Sequence, residues 1–231
     1  MPNKWSIFNR IPSNCFLCEQ SVPFEQLFCA GCTDRLPFTG PGCARCGIPL
    51  ARQHEALCGR CLSNPPAFER TLSLYRYRPP IDFVVQQFKF HEKLYLGHWL
   101  GRKLGEKARQ CYEKSPQLLV PVPLHPERIR ERGFNQALEL AKSIARETSI
   151  PVAPRLCRRI QYTAPQSSLP ESERARNLRG AFHIDTTLNG EHIALVDDVM
   201  TTGTTLNELA GVLKKAGASR IDAWVIARTA R

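Results

Sequence analysis

Apolar and polar positions along the 231-residue chain change period several times. Leu72–Tyr77 (LSLYRY) alternates as a half-buried strand does. After Pro79-Pro80, IDFVVQQFKF has helical spacing, and a second helix is expected from about Leu94 to Tyr112. Leu118–Leu124 (LLVPVPL) is short, apolar and interrupted by proline, which predicts a strand running into a loop. Ala137, Leu140, Ala141 and Ile144 share one face of a helix expected over Phe134–Arg146. His192–Val196 is an apolar strand. Leu206, Leu209 and Leu213 then line a helix that Gly217 stops, and Ile221–Ala227 is a last buried strand. Residues 158–180 are polar and arginine-rich without a period, and long loops of this kind are usually functional. Strands alternating with helices predict an α/β fold with a mostly parallel sheet and helices on both faces. Ligands in such sheets bind beyond the carboxyl ends of the strands.

The first sixty residues have a different logic. Eight of the ten cysteines form four C-x2-C pairs: Cys15/Cys18, Cys29/Cys32, Cys43/Cys46 and Cys58/Cys61. A C-x2-C turn puts two thiolates on one side of a metal, and a second turn completes a tetrahedron. This predicts a cysteine-rich zinc module over residues 1–63 with two structural ions. Disulfides and iron–sulfur ligation are the competing readings. The repeated spacing argues against disulfides, as does the absence of an apolar leader in the first twenty residues. Similar spacers and the internal repeat favour sequential use of the pairs over interleaving. A segment with so few core residues needs a metal to fold, so loss of a ligand such as Cys15 or Cys58 is expected to unfold the module locally. Cys111 and Cys157 have no such partner and are expected to be inert.

Composition changes this picture only in part. Hydrophobic residues make up 42% of the chain, enough for a folded core. No run is long enough to span a membrane, so the expectation is a cytoplasmic protein without membrane insertion. Net charge is +11, of which residues 1–61 contribute +2 and residues 62–231 contribute +9. Two four-thiolate zinc sites would each carry −2, making the module negative. Affinity for polyanions therefore belongs to the larger part.

The richest chemistry lies in LVDDVMTTGTTL, Leu195–Leu206. A strand leads to Asp197 and Asp198, then to Thr201, Thr202, Gly203, Thr204 and Thr205, then to a helix. A helix N-terminus favours a phosphate, Gly203 permits close backbone approach, and the threonine hydroxyls add donors. Carboxylates accept hydrogen bonds from sugar hydroxyls. The site therefore suits a 5′-phosphate beside a ribose diol. Neither G-x-x-x-x-G-K-[ST] nor G-x-G-x-x-G occurs in the chain. The segment resembles the phosphoribosyl pyrophosphate (PRPP) motif of type I phosphoribosyltransferases. That resemblance implies that Asp197 and Asp198 hold the ribose hydroxyls, that Thr201–Thr205 wrap the phosphate, and that residues 72–231 form the transferase-like domain. It also implies a hood within 68–115 for the acceptor, and magnesium carried mainly by PRPP oxygens.

A reacting PRPP loses pyrophosphate, so cations are needed where its charge develops. The candidates are Lys89, Arg128, Arg130, Arg132, Arg174, Arg176 and Arg179. Residues 128–179 carry a local excess of +6. Gly133, beside Phe134 and Asn135, is expected to present N–H groups to pyrophosphate, and Phe134 and Tyr162 offer rings on which bases stack. With the cysteine array, three further segments, YRYRPPIDFVVQQFKF (75–90), PVPLHPERIRERGFNQA (121–137) and SSLPESERARNLRGAF (167–182), give the whole chain a resemblance to the ComF family, competence and GntX-type proteins. The resemblance implies a cytoplasmic protein that binds PRPP, handles incoming single-stranded DNA, and works with other competence proteins. The alternative is an active transferase moving phosphoribose to a base or another nucleophile, with no direct DNA role.

Overall fold

The computed structural model describes residues 13–23, 26–50, 56–91, 93–162, 178 and 180–230. Among these, the strands are β1 (Arg70–Arg76), β2 (Leu118–Pro121), β3 (Arg158–Arg159), β4 (Phe182–His183), β5 (His192–Met200) and β6 (Arg220–Arg228). The helices are α1 (Ala30–Thr33), α2 (Gly59–Ser63), α3 (Ile81–Phe90), α4 (Leu94–Cys111), α5 (Pro126–Arg132), α6 (Gln136–Thr148) and α7 (Thr204–Lys215). Four strands form a parallel sheet in the order β1-β6-β5-β2. β3 and β4 form a separate antiparallel pair.

Both faces of the sheet are covered, as the apolar strands require. Ala194, Val196, Trp224 and Ile226 pack with buried residues of α3, α4 and α6. Their neighbours Ile193, Leu195, Ala223 and Val225 pack with Leu206, Leu209 and Leu213 of α7 on the other face. Glycines let α4 approach α6 closely. A Cβ on Gly101 would lie 2.7 Å from Ser143 Cβ and 2.9 Å from the Leu140 carbonyl oxygen, and one on Gly105 would lie 2.8 Å from Glu147 Cβ. At the other end of α7, Gly217 has φ +113°, and an added Cβ would meet the Leu188 carbonyl oxygen at 2.4 Å, so only glycine fits there.

The cysteine module is a tandem repeat. In each unit a tight knuckle carries the first pair and a short helix starts directly after the third cysteine. The Cys15 and Cys43 amides donate to the Gln20 and Ile48 carbonyls at 2.7 and 2.8 Å. Glu19 (φ 62°) and Gly47 (φ 67°) then take the same left-handed position. Cys29 and Cys58 are the N-caps of α1 and α2. The first unit packs on the sheet's helical cover, where Phe28 meets Trp99 edge-on at 5.1 Å and Phe16 stacks on Phe83 at 5.8 Å.

Three details differ from the sequence pattern. β5 does not end at its carboxylates but continues through them to Met200, because β6 pairs with it that far. The polar stretch after residue 157 includes β3, too short to have a period. Gly133 does not offer its N–H to a ligand. It caps α5 in the left-handed region (φ 79°), and its N–H donates to the Ile129 carbonyl at 2.8 Å. Asn135 Oδ1 likewise takes the Ala137 and Leu138 amides at the start of α6. No described helix is long and apolar enough to cross a membrane.

Candidate functional site

Parallel pairing carries the ends of β5 and β6 to one edge of the sheet. Strand alternation sends successive side chains to opposite faces, and this separates the acidic pair. Asp198 points to the face covered by α3, where its Oδ1 lies 2.9 Å from Lys89 Nζ. Asp197 points to the α7 face and lines a hollow of about 30 Å3 with Thr201, Gly203, Thr204 and Thr205.

Charge on the pair is not evenly held. Burial pushes Asp197 up and the Asp198 carboxylate adds to this; Lys89, the Asp198 N–H and Arg159 offset only part, leaving it at about 7. The Asp198 amide donates to Asp197 Oδ1 at 2.8 Å. Burial works against the Lys89 ammonium, but Asp198, with Asp197 behind it, outweighs burial and holds Lys89 above its ordinary value.

The loop after β5 turns sharply into α7. Gly203 has φ 79° and is the N-cap of α7 without a side-chain cap. The first-turn N–H groups of a helix have no partner inside the helix. Thr202 and Thr204 hydroxyls meet at 2.7 Å, and Thr202 Oγ1 also takes the Thr204 amide at 3.3 Å. Hydroxyls, helix amides and a carboxylate therefore converge within one turn of chain.

The remaining candidates divide. Arg128 and Arg132, one helical turn apart on α5, lie over the rings of Tyr162 (5.1 Å) and Phe90 (5.4 Å). Arg128 also pairs with Glu131 at 2.6 Å, and Glu131 accepts from Tyr162 Oη at 3.1 Å. Arg130, exposed and two residues from each, faces away from that strip. Arg174, Arg176 and Arg179 lie outside the described residues. Phe134 is packed on Phe88 at 5.7 Å; the exposed ring is Phe90, at 61%.

Two arginines escaped the sequence reading. Burial, with the Arg128 charge adding to it, pushes the Arg159 guanidinium on β3 below its ordinary value, and Asp197 acts in the opposite sense. Arg228, the last residue of β6, is 3% exposed. Its guanidinium donates to the Cys46 carbonyl at 2.8 Å, to the Met200 carbonyl at 3.1 Å, and to the Thr201 carbonyl. A larger groove of about 690 Å3 runs between the second cysteine unit and β1. Three of its four lining cations are engaged in the fold: Arg70 bonds the Cys111 carbonyl, Lys107 the Ser73 carbonyl, and Arg220 the Asp222 carboxylate.

The cysteines group sequentially, Cys15, Cys18, Cys29 and Cys32 in one cluster and Cys43, Cys46, Cys58 and Cys61 in the other, with all Sγ atoms in a group within 4.8 Å. Zn–S bonds of about 2.3 Å in a tetrahedron imply S···S edges of roughly 3.8 Å. Cys18–Cys29 at 3.6 Å and Cys46–Cys58 at 3.7 Å fit that edge and are far from a disulfide. Cys157 is buried, and burial pushes its thiol up to about 12, which disfavours the reactive thiolate.

Comparison with known proteins agrees with both halves. The Double zinc ribbon domain family matches residues 10–62, and the Phosphoribosyl transferase domain family matches residues 135–231. The chain is 33% identical over 207 residues to "Competence protein F" of Haemophilus influenzae, covering 87% of this chain and 90% of that protein. The chain belongs to the ComF family. It is also 33% identical over 225 residues to "DNA utilization protein YhgH" of Salmonella typhimurium, covering 95% of this chain and 98% of that protein. "Competence protein ComFC" of Bacillus subtilis is 29% identical over 238 residues, covering 93% and 95%. This ComF protein is thus a competence-related, phosphoribosyltransferase-like α/β protein with an N-terminal double zinc ribbon whose two four-cysteine sites suit structural zinc.

Proposed function

We propose that this ComF protein binds PRPP at the β5–α7 turn and handles single-stranded DNA in the cytoplasm during DNA uptake. One observation carries the reading: Asp197, Thr201, Gly203, Thr204 and Thr205 share one hollow at the N-terminus of α7. The α7 amides and threonine hydroxyls take the 5′-phosphate, and Asp197 takes the ribose diol, with Asp198 adjoining it. Magnesium travels with PRPP on the ligand's own oxygens. Lys89 and Arg159, flanking the two carboxylates, stand where pyrophosphate charge is balanced. The acceptor side falls to residues 68–115, which include Phe90.

DNA contact falls to the strip Tyr162–Arg128–Arg132–Phe90. Guanidinium groups meet phosphates and exposed rings stack bases of any identity. The names of the relatives, competence and DNA utilization proteins, support this role. Calorimetry with magnesium and PRPP tests the first half; no binding to folded protein would remove the site assignment. Fluorescence anisotropy with a labelled oligonucleotide at low salt tests the second. The Arg128→Ala, Arg132→Ala double variant is expected to weaken binding and flatten the log–log salt slope by about 1.4, at roughly 0.7 per phosphate on single strands. Absence of DNA binding at micromolar protein, with PRPP binding intact, would favour the transferase reading. The cations beside the acidic pair already suit that reading, and pyrophosphate release with a panel of bases would measure it.

A further inference from the structure

The two zinc ribbons occupy different places. The first packs on α3 and α4 through Phe16 and Phe28. The second backs onto the phosphate loop. Arg228 joins them: its Nε donates to the carbonyl of the metal ligand Cys46, and its Nη1 donates to the Met200 and Thr201 carbonyls at the start of the loop. Cys46 and Arg228 are 182 residues apart in sequence, so this link exists only in the folded chain. Two further ties run in parallel. Thr71 Oγ1 donates to the Arg45 carbonyl at 2.6 Å, and the Ala67 amide, just after the second ribbon, donates to Asn207 Oδ1 on α7 at 2.7 Å. Between them lies a cavity of about 310 Å3, walled on one side by Cys46, Cys58 and Cys61 and on the other by Thr202, Gly203 and Thr204.

A loop that binds phosphate through backbone amides depends on where its carbonyls are held. Each peptide unit turns as one plane, so fixing the Met200 and Thr201 carbonyls fixes the amides of the residues that follow them. A guanidinium offers several donors in a rigid fork and suits this task better than a flexible ammonium. The Cys46 carbonyl is itself held by the knuckle that metal ligation closes. We propose that the second zinc ribbon is the back wall of the phosphate loop and that Arg228 is the positioning residue coupling them. Metal at Cys43, Cys46, Cys58 and Cys61 then raises affinity for a 5′-phosphorylated ligand, and metal at the first ribbon does not. This rests on the PRPP reading of the loop only for its ligand; the mechanical coupling stands apart from it.

The test uses the full-length, zinc-loaded protein and reads amide hydrogen exchange in residues 201–205 together with PRPP–magnesium affinity. Arg228→Gln should speed exchange in the loop and weaken PRPP about tenfold, the loss expected for charge-assisted hydrogen bonds. Arg228→Lys should recover part of both. Cys58→Ser should act like Arg228→Gln, and it carries the test if Arg228→Gln does not fold. Cys18→Ser should loosen residues 13–36 and leave 201–205 at the parent rate. Unchanged loop exchange in Arg228→Gln or Cys58→Ser, or an equal response to Cys18→Ser, overturns the coupling. Faster loop exchange in a protein that never binds PRPP would keep the coupling and remove the ligand.

Discussion

At the scale of single residues, the two adjacent carboxylates have opposite roles in stability. Asp197 has a folded value near 7, against roughly 4 for an unfolded aspartate. A carboxyl with a raised folded value contributes stability that is complete below about pH 4 and is lost as pH rises through about 7. Asparagine imitates the protonated form. Asp197→Asn is therefore expected to raise the urea midpoint at pH 8, to flatten its pH dependence between about 4 and 7, and to weaken PRPP binding. Asp198→Asn has the other sign, because it leaves the Lys89 ammonium without its 2.9 Å partner. A loss of roughly 1–3 kcal/mol in urea unfolding is expected. The acidic pair and threonines were legible because strand, carboxylates, glycine and helix are contiguous. Arg228 was not, because an arginine in IARTAR looks like any surface cation until a distant cysteine carbonyl folds against it. Phe134, offered as a stacking ring, is packed on Phe88, while Phe90 is exposed, for a similar reason: only tertiary packing decides which ring is covered.

At the scale of elements, the tandem ribbons compare one geometry with two residues. Glu19 occupies the left-handed position that Gly47 occupies in the second unit. A left-handed backbone costs a β-carbon residue about 1–2 kcal/mol. Glu19→Gly is expected to stabilise the first ribbon by about 1 kcal/mol after the added freedom of the unfolded glycine is deducted, measured as a higher thermal midpoint. The glycines of α4 carry the reverse lesson. Gly97, Gly101 and Gly105 read as weak points of a helix, yet they share the side that meets Phe88 and α6. Gly101→Ala improves helix propensity, but its Cβ collides with backbone, so a net loss of about 1–3 kcal/mol is expected in chemical unfolding. The longer helices and strands were legible from period. α5 was not marked out as a helix because its seven residues, PERIRER, have one apolar position and no face.

At the scale of the whole molecule, the ribbons are not an appendage. Cys15, Leu27, Phe28 and Leu36 belong to the same core as Val84, Leu100 and Trp224. Loss of metal is therefore expected to lower the stability of the whole fold, even where it first loosens a single ribbon. Two zinc ions per chain should be found by elemental analysis, and a chelator should move a single calorimetric transition to lower temperature. A small early transition followed by an unchanged main one would mean that the module folds by itself. Cysteine spacing told how the metals are held, but not that their shells close the core, because spacing has no information about what lies across from it.

The stretch joining the two ribbons also covers the outer strand of the sheet. The Thr39 amide donates to the Leu74 carbonyl at 2.9 Å, and the Arg76 amide to the Pro37 carbonyl at 2.7 Å. Pro37–Thr39 thus occupies hydrogen-bonding positions along β1 that would otherwise be open to another chain. Open strand edges are templates for aggregation. Metal depletion should therefore show itself in the cell as insoluble protein, with scattering that grows with concentration.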